Sequence, residues 1–400
     1  MSVRSSFTIL KKVKLPDKYK LARFQRSPEL GPKILFFSGG SALKSVSAEL
    51  IHYSHNSIHL ITPFDSGGSS AVLRKAFNMP AVGDLRNRLM ALADKSLYFN
   101  PSVFKLFAYR FPKDESQNKL RDEFYEMAFG KHPLVADVPD PMRKIIKHHL
   151  RFFWQQMPED FDFRGANIGN LVLTSGYLEY ERHFDPVLFI YSKLVEARGI
   201  VRPIVNKNVH LAVKLDNGEV ICGQHKITGK EVPPLRSKIK EIFLTQSLDD
   251  FEPIRVEIRE KIKRLIGEAE LICYPIGSFY SSIIANLLPS GVAKAIANNS
   301  CPKIFIPNTG KDPEAIGLTL EEQVLKLIYY LRQDAPESSP VQLLNFILVD
   351  EDIKLYPGAR LSKLELMRFG VEIIRCKLVS KESYPYLDPE LLVKALLSIV

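Results

Sequence analysis

The sequence predicts an α/β protein: a mostly parallel sheet covered by helices on both faces, with a helical insertion and a β-hairpin. Three observations predict it. Two short hydrophobic runs near the start each end in Gly-Gly and small hydroxyl residues, and a helical pattern follows each. Strand-sized and helix-sized apolar segments alternate again from about residue 253 onwards. Between these halves, residues 97–157 show helical spacing without strand-like alternation. Alternation of strand and helix implies parallel strands joined by crossover helices.

Taken in order, the basic leader comes first, with Lys11, Lys12, Lys14, Lys18, Lys20, Arg23 and Arg26. It reads as a solvated, partly ordered extension over residues 1–32, because no aromatic interleaving or known module marks a nucleic-acid reader. Residues 33–38 and 57–62 read as parallel strands joined by a helix over 42–52, a βαβ unit. Helices are expected over 70–77 and 86–93. The insertion at 97–157 holds helical segments at 120–129 and 142–154. Its histidine pair, His148 and His149, reads as solvated helix surface. Helices are expected again from Asn167 into Leu173 and over 186–195.

Residues 200–228 switch to β, with 209–215 and 220–222 flanking Asp216-Asn217-Gly218-Glu219. Asn-Gly between two such runs signals a hairpin. Then come a helix over 254–266 and strands at 271–275, 304–307, 346–349 and 372–376. Helices at 320–331, 361–369 and 389–399 complete the alternation. Everything from residue 33 to 400 therefore reads as one domain carrying the insertion and the hairpin.

Composition fits that reading. The chain has 400 residues, 46% of them hydrophobic and 25% charged, as in ordinary globular proteins. No apolar run approaches the roughly 20 residues of a membrane span, and no secretory signal opens the chain. A cytoplasmic protein with reduced thiols is expected, since Cys222, Cys273, Cys301 and Cys376 show no zinc or disulfide spacing. The net charge of +10 would draw an acidic ligand towards a phosphate site.

The glycine turns carry the functional signal. Gly39-Gly40-Ser41 and Asp65-Ser66-Gly67-Gly68-Ser69-Ser70 each follow a strand and precede a helix. Such turns present backbone N–H groups to an anion, while glycine admits close approach and serine adds donors. Two of them suggest a ligand with more than one phosphate, and Asp65 places a carboxylate beside it. The third glycine of a dinucleotide fingerprint is missing and no Gly-Lys-Ser/Thr follows, which argues against a nicotinamide dehydrogenase and a P-loop NTPase. Gly83-Asp84-Leu85-Arg86-Asn87 places an aspartate at an expected N-cap, with arginine and asparagine in the first turn. Asn167-Ile168-Gly169-Asn170 brings amides that donate and accept at once. Gly277-Ser278-Phe279-Tyr280-Ser281-Ser282 repeats the strand–glycine–hydroxyl–helix design, as a second pole for an anion.

These clusters together resemble the CofD/YvcK family: phospholactate transferases of deazaflavin coenzyme synthesis and gluconeogenesis-factor-like relatives. The family's Gly-Gly-Thr-Gly is matched by Gly39-Gly40-Ser41-Ala42, and its Asp-Asp-Gly-Gly-Ser-Ser by Asp65 to Ser70. Its Gly-Asp-(Ile/Leu)-Arg-Asn stands intact as Gly83 to Asn87. Its Asn/Ser-Ile-Gly-Asn-Leu matches Asn167 to Leu171, and its Gly-Ser-Leu-Tyr-Thr-Ser looks like Gly277 to Ser282. Two departures stand out: Ser66 replaces the second aspartate, and Ser41-Ala42 replaces Thr-Gly.

The resemblance implies a three-layer α/β/α, Rossmann-like fold whose cleft binds a nucleotide diphosphate species, a GDP-linked donor or a UDP-sugar. It implies transfer of a phosphate-containing, phospholactyl-type group to an acceptor hydroxyl. The alternative is a non-catalytic nucleotide-sugar-binding regulator of carbon metabolism or the cell envelope. In this scheme Gly39, Gly40, Ser41, Gly67, Gly68, Ser69 and Ser70 hold phosphates. Asp65 binds Mg2+ or orients the acceptor, and Arg86 offsets developing charge. Asp84, Asn87, Asn167, Gly169 and Asn170 shape the sugar or base side, and Gly277, Ser278, Tyr280 and Ser281 close the opposite wall. A homo-oligomer, a dimer, is the expected assembly, with no nucleic-acid partner.

Overall fold

Residues 12–96, 100–229 and 233–400 are described by a computed structural model. Residues 1–11 of the basic leader and the expected opening of the insertion at Leu97 lie outside the described residues.

Seven strands form the main sheet: β1 (Ile34–Ser38), β2 (Ile58–Ile61), β3 (Ile200–Pro203), β7 (Leu271–Tyr274), β8 (Lys303–Phe305), β9 (Phe346–Val349) and β10 (Glu372–Arg375). The second sheet holds β4 (His210–Leu215), β5 (Val220–Cys222) and β6 (Ile239–Thr245). The main sheet runs β10-β9-β8-β7-β1-β2-β3, every neighbouring pair parallel. Strand order therefore reverses between β1 and β7. In an open parallel sheet, the crevice beyond the carboxyl ends of the strands at such a reversal is where ligands bind.

The near-continuous apolar strands reflect burial on both faces. Leu35 and Phe37 of β1 face one core, shared with the helix Leu320–Asp334 and the small sheet. Ile34 and Phe36 face the other, under the helices Lys44–Leu50 and Pro389–Ile399. This two-residue alternation fixes the register. His59 of β2 is buried and stacks on Phe36, with centroids 5.2 Å apart. Burial, helped by Arg88, holds its pKa well below the ordinary value, so it is a neutral core histidine.

Part of the leader is built into this layer. Asp17 caps the helix Lys18–Arg26 through the amides of Tyr19 and Lys20. Leu21 and Phe24 are buried in the core that also holds Leu396. A third core, rich in aromatic pairs, lies within the helices Pro101–Ala108, Gln117–Phe129, Met142–Gln156, Ile168–Glu179 and Phe184–Leu194.

Three local expectations need correction. Residues 200–203 belong to the main sheet, parallel to β2, and not to the hairpin segment. The hairpin β4–β5 gains a third strand, β6, antiparallel to β4. Residues 254–259 are not helical, because the amides of Ile254 and Ile258 bond to the carbonyls of Leu244 and Ser290; the helix opens at Glu260.

Candidate functional site

Seven chain segments meet in a cleft of about 380 Å3 at the carboxyl ends of β1, β2 and β7. The turn after β1 forms its floor. Arg88, from the helix Gly83–Ala91, is fully buried beneath it and donates Nη2 to the carbonyls of Gly39 (3.0 Å) and Gly40 (3.4 Å). Its Nη1 donates to Ser47 Oγ. A trans peptide points its N–H opposite to its C=O. Holding these two carbonyls downwards therefore turns the amides of Gly40 and Ser41 up into the cleft. Among the described residues, neither amide has a hydrogen-bond acceptor. Both glycines stand against side chains of the cleft. A Cβ on Gly40 would lie 2.0 Å from Asp84 Oδ1, and one on Gly39 would lie 2.5 Å from Ser282 Oγ.

The turn after β2 forms one wall. Arg74, also buried, clamps it: Nη1 donates to the carbonyls of Phe64 and Asp65 (both 3.1 Å), and Nη2 to that of Val209 (2.7 Å). One side chain thus ties this turn to the start of the small sheet. Burial lowers its pKa to about 10, which leaves it a cation at neutral pH. Gly68 opens the helix Gly68–Phe77 with φ 47, a left-handed conformation that suits glycine. The amides of Gly68, Ser69 and Ser70 are its unpaired first turn.

Asp65 Oδ1 accepts from the Gly67 amide at 3.2 Å. Gly67 therefore supplies no free N–H to a phosphate, a correction to its expected role. The position of a Cβ on Gly83 would lie 3.0 Å from Ser70 Oγ and 3.8 Å from Asp65 Oδ2, so this glycine lets the two segments meet.

Cationic and amide groups stand around that corner. Arg86 Nε donates to Asn170 Oδ1 (3.4 Å), and Arg110 Nη1 to Ser69 Oγ (3.3 Å) and the Gly165 carbonyl. Neither guanidinium forms an ion pair among the described residues. Asp84 lies in the first helical turn, and the N-cap is Val82; the expected capping role falls away. Asp84 and Asn87 line the cleft.

The wall from β7 differs from the expected anion pole. Its amides are already engaged: Gly277 with Asn308 Oδ1 (2.9 Å), Phe279 with Asp312 Oδ2 (2.6 Å), and Ser281 with Glu314 Oε2 (2.7 Å). Ser281 Oγ also donates to Glu314. A loop whose amides serve Asn308, Asp312 and the buried Glu314 has none of these left for a phosphate. Glu314 is buried, and burial first and Asp312 second push its pKa up to about 7. Ser278, Ser281 and Ser282 remain as lining residues.

Three expected site residues lie away from the cleft. Asn167 caps the helix Ile168–Glu179 and donates Nδ2 to the carbonyls of Phe107 and Tyr109. Gly169 packs where a Cβ would meet Tyr191 Oη at 2.5 Å. Tyr280 is buried and donates its hydroxyl to the Ile239 carbonyl (3.1 Å). The remaining expected residues, Gly39, Gly40, Ser41, Asp65, Gly67, Gly68, Ser69, Ser70, Asp84, Arg86, Asn87, Asn170, Gly277, Ser278 and Ser281, all line it.

Sequence reasoning missed Arg74, Arg88, Arg110 and the lip from the small sheet. There Ser66, at the place of the family's second aspartate, pairs its Oγ with His225 Nδ1 at 2.8 Å, and the His225 amide bonds the same oxygen (3.3 Å). His225 sits on the short helix Gln224–Ile227 after the hairpin. Nothing in the local sequence links positions 159 residues apart.

A parallel sheet with helices on both faces and a polar cleft at its strand reversal defines a doubly wound α/β protein. The chain belongs to the CofD family: its model, described as 2-phospho-L-lactate transferase CofD, matches residues 34–369. The chain is 26% identical over 363 residues to the gluconeogenesis factor of Bacillus subtilis (strain 168), covering 87% of this chain and 92% of that one. It is 28% identical over 275 residues to the gluconeogenesis factor of Halalkalibacterium halodurans, covering 69% and 66%. The crystal structure of a UPF0052-family protein from Bacillus halodurans superposes with a TM-score of 0.64 at 22% identity, over 92% of this chain and 99% of that one. That likeness supports the three-layer α/β fold with its seven-stranded parallel sheet. Among the described residues, no helix is long and apolar enough to cross a membrane.

Proposed function

We propose that the cleft binds a nucleotide diphosphate-linked donor and that the protein transfers a phosphate-containing group from it to an acceptor hydroxyl. The observation that carries this reading is the convergence of the Gly40 and Ser41 amides, the first turn of the helix Gly68–Phe77, and the guanidinium groups of Arg86 and Arg110 around Asp65. Amide hydrogens and unpaired guanidinium groups together suit a doubly charged pyrophosphate. Asn87 and Asn170 stand where they would meet a sugar or base.

The donors present also suit Mg2+, which takes hard oxygen ligands. Asp65 and Asp84 line the cleft with serine hydroxyls beside them. Asp65 Oδ1 is engaged with Gly67, so Oδ2 is its oxygen left for a cation. A bound ion would supply charge neutralisation, and the protein's own groups position the donor, as in phosphoryl transfer generally.

The second reading is a nucleotide-sugar sensor that turns nothing over. Ser66 favours it, because a hydroxyl paired to His225 replaces a carboxylate in the family motif. A thermal-shift panel of GDP, GTP, UDP-glucose and UDP-N-acetylglucosamine, each with and without Mg2+, separates the two. A ligand at a hundred times its dissociation constant stabilises by about 2.7 kcal/mol. Mg2+-dependent guanosine binding supports the transferase, and metal-independent UDP-sugar binding without product supports the sensor. Stabilisation by none of them overturns both.

A further inference from the structure

The histidine pair on the helix Met142–Gln156 meets a third donor in the fold. Glu179, the last residue of the helix Ile168–Glu179, faces both rings across the helix pair. One of its carboxylate oxygens pairs with His148 Nε2, and the other lies 3.2 Å from His149 Nδ1. One ligand atom from each of the three residues lies within 4.8 Å of the other two.

His149 carries the argument. It is only 1% exposed, and neither its Nδ1 nor Glu179 Oε2 makes a hydrogen bond. Two buried polar atoms thus face each other at 3.2 Å without an aligned hydrogen bond between them, and buried polar atoms left this way call for a further partner.

We infer that His148, His149 and Glu179 hold one divalent transition-metal ion of the zinc type. Two nitrogens and a carboxylate oxygen suit Zn2+, and bonds of about 2.0–2.2 Å set tetrahedral ligand atoms roughly 3.3 Å apart. The His149–Glu179 separation already has that value. His148 is exposed, so its ring can turn to close the remaining distance. Glu179 also lines a groove with Tyr180 and His183, which admits water as the fourth ligand. The ion would clamp two helices, one of which carries Asn170 into the cleft at its other end. The inference does not depend on what the cleft binds.

The test uses the full chain, stripped of metal by chelation and titrated with Zn2+ alone. One ion per chain and a rise in melting temperature are expected. Co2+ in its place should give the visible bands of a tetrahedral site without a thiolate charge-transfer band. His148→Ala and Glu179→Gln should each weaken Zn2+ at least tenfold, while the exposed control His52→Ala leaves it unchanged. The variants avoid buried His149, whose loss could unfold the layer. No binding by the parent chain, undiminished binding by both variants, or a thiolate band overturns the inference.

Discussion

Arg88 and Gly39 meet beneath the cleft floor, where a fully buried guanidinium donates to the glycine carbonyl at 3.0 Å. That contact aims the next amide into the cleft, so the floor is shaped by a residue that does not line it. Replacing Arg88 by Met leaves the buried Gly39 carbonyl without its donor. A stability loss of about 2–4 kcal/mol is expected. Urea denaturation reads the stability and nucleotide titration the cradle. An unchanged midpoint and affinity would remove Arg88 from this role.

The floor also has no room. Gly40→Ala would bring a Cβ to 2.0 Å from Asp84 Oδ1, and Gly40 does not have a positive φ. The fold should survive while Asp84 moves, and nucleotide affinity should fall at least tenfold, about 1.4 kcal/mol. Isothermal titration beside a melting curve separates the two effects. Full affinity in the alanine variant would show that the floor is not part of the site.

Asp65→Asn keeps an oxygen for the Gly67 amide and removes the charge. Turnover should be abolished, with nucleotide affinity kept within about tenfold, roughly 1.4 kcal/mol. Turnover at the parent rate would take Asp65 out of the mechanism.

Much of this was legible because local chemistry decides it. The switch from strand to Gly-Gly to helix needs no distant partner, so β1, β2 and their turns stand where the sequence puts them. Glycine and serine could not reveal who holds the loops in place. Nothing in the sequence around Arg74 and Arg88 marks them as the buried residues the fold makes of them. The same blindness made the Gly277–Ser282 loop look like an anion site. Its amides answer to Asp312 and Glu314, more than thirty residues further on. β6 was missed because Lys240 and Glu241 interrupt its alternation. Strand β3 was assigned to the hairpin because four residues cannot declare which sheet they join.

The Ser66–His225 pair joins the lip of the small sheet to the turn after β2. Its coupling is measurable by a double-mutant cycle with Ser66→Ala and His225→Ala, read by ligand affinity and by stability. A coupling of about 0.5–1.5 kcal/mol is expected for a hydrogen bond of this kind. Additive effects would mean that the two segments close independently.

Glu314 gives the protein a pH dependence of definite sign. Its folded pKa is pushed up to about 7, above the ordinary 4.5, chiefly because burial disfavours the charge. Between these values the folded chain keeps a proton that the unfolded chain has released. Stability should therefore fall as pH rises from about 4.5 to about 7 and level off above that. Glu314→Gln cannot titrate, yet still offers an oxygen to the Ser281 amide, so this contribution to the fall should flatten in the variant. Urea midpoints across that range, for parent and variant, make the comparison. Parallel curves would show that the Glu314 carboxyl titrates alike in both states and that the β7 wall does not hold its proton.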